Sequence, residues 1–156
     1  MHRLEIRLTD QGRHELEAEL ERLVAELPSA GERIGAARAT GSDPAENLDL
    51  RDALDDLALL ESRVAELRAT LAIAEPVRSD GAADGIASLG RTAKVRFGDG
   101  EEAAYTLVSP VEADPRRGRI SIDSPVGRAL VGHRMGEELS AETPSGIERL
   151  LLLDVQ

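Results

Sequence analysis

The chain has 156 residues and a formal net charge of −11, a balance that argues against autonomous binding to DNA, RNA or an anionic membrane surface. It contains no Cys, which excludes disulfides and thiolate metal sites and fits a reducing compartment. One Tyr, one Phe and no Trp leave apolar burial to Leu, Val, Ile and Ala, residues that suit helix seams and thin sheets better than a bulky core.

Met1-His2-Arg3-Leu4-Glu5 has no apolar leader character and no run approaches transmembrane length, so a soluble, cytoplasmic protein without a membrane partner is expected. Leu4, Ile6 and Leu8 alternate with charged residues, a short strand-like lead-in. Thr9 then reads as an N-cap. Leu16, Leu20, Leu23 and Leu27 recur at spacings of four, three and four, which makes one apolar seam on a helix. Pro28 lacks a backbone donor and is expected to kink or interrupt that helix, with Ser29 to Gly31 weakening it further. Ile34 lies seven residues beyond Leu27, so the seam resumes on the same face towards Ala37, and the arm ends around Thr40-Gly41.

A second arm spans about 48–74. Leu50, Leu57, Val64 and Leu71 follow one another every seven residues, and Ala53, Leu60, Leu67 and Ala74 form a second such series. Together they fill the a and d positions of a coiled-coil heptad. A helix of about 28 residues would be roughly 42 Å long, a reach that suits a probe. Two arms of similar length meeting at a short turn predict an antiparallel helical hairpin, a rod with Asp43-Pro44-Ala45-Glu46-Asn47 at its tip.

Asp43 and Glu46 stand three apart, so both carboxylates can project from one side. Two such carboxylates can share a hard cation such as Mg²⁺, weakly unless another macromolecule completes the coordination shell. The same residues also parallel a capping box, with Asp43 as N-cap, Pro44 at N1 and Glu46 at N3. Both roles stand open on spacing. Arg38 and Arg51 flank the tip, placed either to bracket an RNA phosphate or to offset its negative charge. Asp49, Asp52, Asp55 and Asp56 read as a solvated helix face with an Arg51–Asp55 pair. His2, His14 and His133 show no ligand spacing and read as surface residues. No nucleophile elbow, Walker loop, dinucleotide fingerprint or zincin motif is present.

Glu75-Pro76 ends the second arm, and residues 78–89, rich in Gly, Ala, Asp and Ser, read as a linker. Strands are predicted over 93–97 and 104–108, flanking the turn Gly98-Asp99-Gly100, and over 119–123. Ser124-Pro125 supplies an N-cap and a Pro at N1 for a short helix that stops near Gly132. Two further strands, 139–142 and 147–155, flank Pro144-Ser145-Gly146, and Leu150-Leu151-Leu152-Leu153 is expected to be buried on both faces. The fold class is therefore α+β. It comprises a helical hairpin over 1–77, a linker over 78–89 and a β-rich domain with one short helix over 90–156.

Several short motifs in one order make the chain resemble the Gre family of bacterial transcript-cleavage factors along nearly its whole length. Leu8-Thr9-x-x-Gly12 followed by Leu16, Glu19 and Leu20 is similar to the family's opening helix, and Asp43-Pro44-Ala45-Glu46-Asn47 to its tip motif. Glu61-x-Arg63-Val64-Ala65-Glu66-Leu67 is similar to the returning arm. Glu112-Ala113-Asp114-Pro115, Ile120-Ser121-Ile122-x-Ser124-Pro125, Arg128-Ala129-Leu130-x-Gly132 and Thr143-Pro144-x-Gly146 have counterparts in the second domain. Leu50 stands where the family carries an aromatic, and Ser42 is an added residue between Gly41 and the motif.

The resemblance implies a coiled-coil hairpin that enters the secondary channel of RNA polymerase and an FKBP-like domain that docks at the channel's rim. Without an aromatic-lined pocket, that domain is read as a docking module rather than a prolyl isomerase. By the resemblance, Asp43 and Glu46 help hold an Mg²⁺ jointly with the polymerase, which then cleaves its own backtracked RNA. Asn47 matches the motif's Asn with its role open, and together with the flanking Arg38 and Arg51 it is the expected support of the tip or the RNA. The protein is then a cofactor rather than an enzyme and is expected to be a monomer. It meets nucleic acid, the nascent RNA 3′ end, only inside the polymerase complex. The alternative is a Gre-like channel regulator that inhibits or modulates synthesis without stimulating cleavage.

Overall fold

A computed structural model describes residues 6–41, 43, 45–77 and 85–156. Contacts divide the chain into two units, Gln11–Ala74 and a second that takes the residues up to Asp10 together with those from Glu75 onward.

The first unit is the helical hairpin. Helix α1 runs Asp10–Ala39 and α2 runs Leu48–Ile73, about 45 and 39 Å at roughly 1.5 Å per residue. All eight heptad positions read from α2 are covered: Leu50, Ala53, Val64 and Leu67 are buried, and Leu57, Leu60, Leu71 and Ala74 are half-buried. Facing them on α1 are buried Leu16, Ala30, Ile34 and Ala37 and half-buried Leu20, Leu23 and Leu27. Cross-arm bonds confirm the antiparallel sense. Arg63 grips the Glu19 carboxylate at 2.9 and 3.2 Å, Arg33 meets Asp56 at 3.3 Å, and the Arg13 guanidinium donates to the Ala74 carbonyl at 2.7 Å.

Two expectations are corrected here. Pro28 does not interrupt α1, which passes through it as one helix. An interior proline costs about 3 kcal/mol. Here its ring faces solvent, and the seam beside it, with Ala30 1 % exposed, holds the helix together on the other side. Among the described residues, the ion pair on the exposed acidic face of α2 joins Asp56 to Arg33 across the hairpin, not Arg51 to Asp55 along the helix.

The second unit begins with two short strands that frame the hairpin's root. Strand β1, Arg7–Leu8, pairs in parallel with β2, Glu75–Pro76. The Glu75 and Val77 N–H groups donate to the Ile6 and Leu8 carbonyls at 2.8 and 2.9 Å. Leu8 is 1 % exposed. Both strands fall in the second unit by their contacts.

The main sheet contains β3 (Thr92–Phe97), β4 (Glu102–Val108), β5 (Arg119–Ser121), β6 (Glu138–Thr143) and β7 (Gly146–Val155), in the order β5-β4-β3-β7-β6. Every pairing is antiparallel except β4 with β5. Helix α3, Pro125–Leu130, starts as expected, with the Ser124 hydroxyl accepting the Gly127 N–H at 3.0 Å. It lies so close to β5 that a Cβ on Gly127 would fall 2.0 Å from the Ser121 carbonyl oxygen. The core gathers Val95, Leu107, Leu130, Leu139, Leu150 and Leu152. Leu150 to Leu153 alternate after all. Leu150 and Leu152 enter the core, while Leu151 and Leu153 lie on the half-covered opposite face.

Of the stretch read as a linker, 78–84 lies outside the described residues. Ala87 beyond it is fully buried, exchanging backbone bonds with His133 and Gly132 at 2.9 and 2.8 Å.

Candidate functional site at the hairpin tip

The turn between the arms is built by short-range bonds. Helix α1 ends at Ala39, the Thr40 hydroxyl donates to the Ala37 carbonyl at 2.8 Å, and Gly41 turns the chain with φ of 71°, a left-handed conformation that suits glycine. Asp43 comes next. Its Oδ1 accepts the Ala45 N–H at 2.9 Å, and its carbonyl accepts the Glu46 N–H at 3.0 Å. Both bonds fold Asp43 and Glu46 into one turn, and both residues are exposed.

The helix that follows does not start where the capping-box alternative puts it. Its N-cap is Asn47, with φ −81° and ψ 92°, and the Asn47 Oδ1 accepts the Leu50 N–H at 3.0 Å. Asp43 and Glu46 therefore stand outside α2, in the turn before it. The Asn47 side chain is 8 % exposed, and its Nδ2 also donates to the Ala37 carbonyl at 2.9 Å and to Thr40 Oγ1 at 3.3 Å. Sequence reasoning left the atomic role of Asn47 unassigned and missed Thr40. An Asn directly before an apolar heptad was the signal available.

Arg38 and Arg51 are exposed on either side of the turn, and neither pairs with Asp43 or Glu46 among the described residues. Leu50 packs with Ile34, Ala37 and Ala53 inside the hairpin. Leu50 thus belongs to the seam beneath the tip, not to the exposed turn. Ser42 and Pro44 lie outside the described residues.

Two exposed carboxylates can give a hard cation two oxygen ligands. Among the described residues no group of three or more His, Cys, Asp or Glu could hold a metal ion. No described helix is long and apolar enough to cross a membrane.

The sheet unit carries two polar clusters of its own. Glu112 is 4 % exposed; its carboxylate accepts the Thr9 N–H at 3.2 Å, the Thr9 hydroxyl, and the Ser109 hydroxyl at 2.9 Å. On the surface, His133 Nδ1 meets Glu137 at 2.6 Å, and that bond, with the Arg134 N–H, holds the Glu137 carboxyl below the usual range. Neither lies at the tip.

Comparison with known proteins agrees with this architecture. Residues 6–75 match the model of the transcription elongation factor N-terminal domain, and residues 82–156 match that of the GreA/GreB C-terminal domain. The transcription elongation factor GreA of Chloroflexus aggregans is 44 % identical over 151 residues, 96 % of each chain. That of Bacillus licheniformis is 39 % identical over 141 residues, 89 % of each. Among solved structures, GreA factor homolog 1 of Thermus thermophilus aligns with 97 % of this chain and 99 % of its own at 29 % identity and a TM-score of 0.45. The chain belongs to the GreA/GreB family of transcription elongation factors.

Proposed function

We propose that this elongation factor binds RNA polymerase, inserts its helical hairpin into the secondary channel and presents Asp43 and Glu46 at the polymerase active site, where they stimulate cleavage of backtracked RNA. The observation that carries this reading is the exposure of both carboxylates in a turn whose helix is capped by a different residue, Asn47. Neither acid is spent on capping α2. The sheet unit serves as the docking module at the channel's rim. The protein works as a monomer in the cytoplasm and meets nucleic acid only at the RNA 3′ end inside the complex. Its net charge of −11 suits a factor recruited by a protein partner rather than by nucleic acid.

Asp43 and Glu46 are the residues that would share an Mg²⁺ with the polymerase; when bound, such a metal activates water and stabilises a leaving oxygen. The chain's own contribution is to carry two anionic oxygen donors to the site at the end of a helix pair. Arg38 and Arg51, exposed and joined to neither acid, remain available to RNA phosphate.

The test uses stalled, backtracked elongation complexes scored for RNA shortening. The parent protein should shorten the RNA, and Asp43→Asn or Glu46→Gln should slow that reaction by about tenfold or more, a transition-state loss above about 1.4 kcal/mol. Thermal stability and polymerase binding should hardly move, because neither residue is buried or caps the helix. Added Mg²⁺ should partly restore both variants. A parent that leaves the RNA intact but slows nucleotide addition would overturn cleavage in favour of channel-blocking regulation, and variants as active as the parent would remove the tip acids from the mechanism.

A further inference from the structure

We infer that Asn47 is the positioning residue of the tip: its carboxamide ties the start of α2 to the last turn of α1 and so fixes the direction in which Asp43 and Glu46 are presented. The inference rests on the cleavage reading above and adds a residue that touches neither RNA nor metal. At 8 % exposure the side chain is enclosed by the hairpin, so its chemistry is spent internally.

A primary amide has one acceptor oxygen and two donor hydrogens. Here Oδ1 takes the Leu50 N–H, and Nδ2 reaches the Ala37 carbonyl and the Thr40 hydroxyl. Thr40 donates to the same Ala37 carbonyl, which makes a closed set of bonds between the two helix ends. Glu46 is covalently next to Asn47, and its N–H is bonded to Asp43, whose carboxylate holds Ala45. The end of α1, Asn47, Glu46 and Asp43 thus form one connected series.

Capping alone does not account for asparagine at this position. Asp and Ser cap helices about as well as Asn. Aspartate has no hydrogen to offer Ala37 and would face its carbonyl with a negative charge. Serine bears its hydroxyl on a shorter stem, enough for Leu50 N–H but not for the opposite arm. Only the tether requires an amide, and a displacement of about 1 Å at a reacting centre can cost about a hundredfold in rate.

Asn47→Ser, made in the full chain, keeps the cap and cuts the tether. Two measurements are needed: RNA shortening in backtracked complexes as a function of protein concentration, and amide hydrogen exchange at Ala45 and Glu46 in the free protein. The expected result is a saturating cleavage rate lower by about ten- to a hundredfold, a half-saturating concentration within about twofold of the parent, retained far-UV ellipticity, and faster exchange at both amides. A saturating rate equal to the parent's would overturn the inference. So would a reduced rate with unchanged exchange, which would assign Asn47 to direct contact with RNA or polymerase. If the parent itself fails to shorten RNA, the cleavage reading falls separately, and parent-like exchange in Asn47→Ser would still refute the ordering of the tip by Asn47.

Discussion

Glu112 is a carboxylate in a place where carboxylates are costly, and its partners explain why it is tolerated. With 4 % exposure it has lost nearly all its water, and it recovers bonds from one backbone N–H and two hydroxyls, those of Thr9 and Ser109. Glu112→Ala should therefore destabilise the sheet unit by about 1.5–3 kcal/mol, the scale for hydrogen bonds to a charged group. Denaturant titration reads this directly, and an unchanged midpoint would show that the donors find other acceptors. The sequence displayed Glu112 only as one letter of a motif, because its main partner, Thr9, lies at the other end of the chain. Asn47 went unread for another reason. Its place before an apolar heptad is a helix-start signal, but the Asp43-Pro44 pair upstream offers the same local signals. What decides between them is the Ala37 carbonyl on the opposite arm, which no local rule can weigh.

The two helices differ in how openly they announce themselves. Helix α2 repeats Leu50, Leu57, Val64 and Leu71 against Ala53, Leu60, Leu67 and Ala74, and all eight lie in the seam, because a seven-residue period fixes one face whatever the partner. In α1 the local rule failed at Pro28, where tertiary packing around Ala30 and Ile34 outweighed the broken ladder. The strands of the second unit were bracketed by glycine and proline turns and were found nearly residue by residue. Strand β1 was legible in the alternation of Leu4, Ile6 and Leu8, whereas β2 is two residues long, carries no period of its own and pairs with β1 across the entire hairpin. The seam also grades its own members. Leu67 is 2 % exposed, whereas Leu60 is only half-buried. Leu67→Ala should cost about 2–5 kcal/mol and Leu60→Ala clearly less, since the cavity beside Leu60 opens towards water. Equal losses in denaturant titration would mean that burial in the hairpin is uniform and that this ranking is wrong.

At the scale of the molecule, the proposed function asks for two different things of one short chain: a helical hairpin that delivers carboxylates, and a sheet that docks. Its contacts divide accordingly, with Gln11–Ala74 on one side and the sheet with the hairpin's root strands on the other. The chain carries separate reporters for each. Far-UV ellipticity is dominated by α1 and α2. Fluorescence comes from Tyr105, the chain's one Tyr in the absence of Trp, which sits on β4 with its ring edge-on to Phe97 at 6.4 Å. Glu112 and its partners Thr9 and Ser109 all lie in the sheet unit. If the units fold independently, Glu112→Ala should move the Tyr105 transition to lower denaturant and leave the ellipticity transition nearly where it was in the parent. Leu67→Ala should do the reverse, because its side chain is buried in the hairpin seam. Were both variants to shift both probes equally, the chain would be a single cooperative unit. Insertion and docking would then stand or fall together.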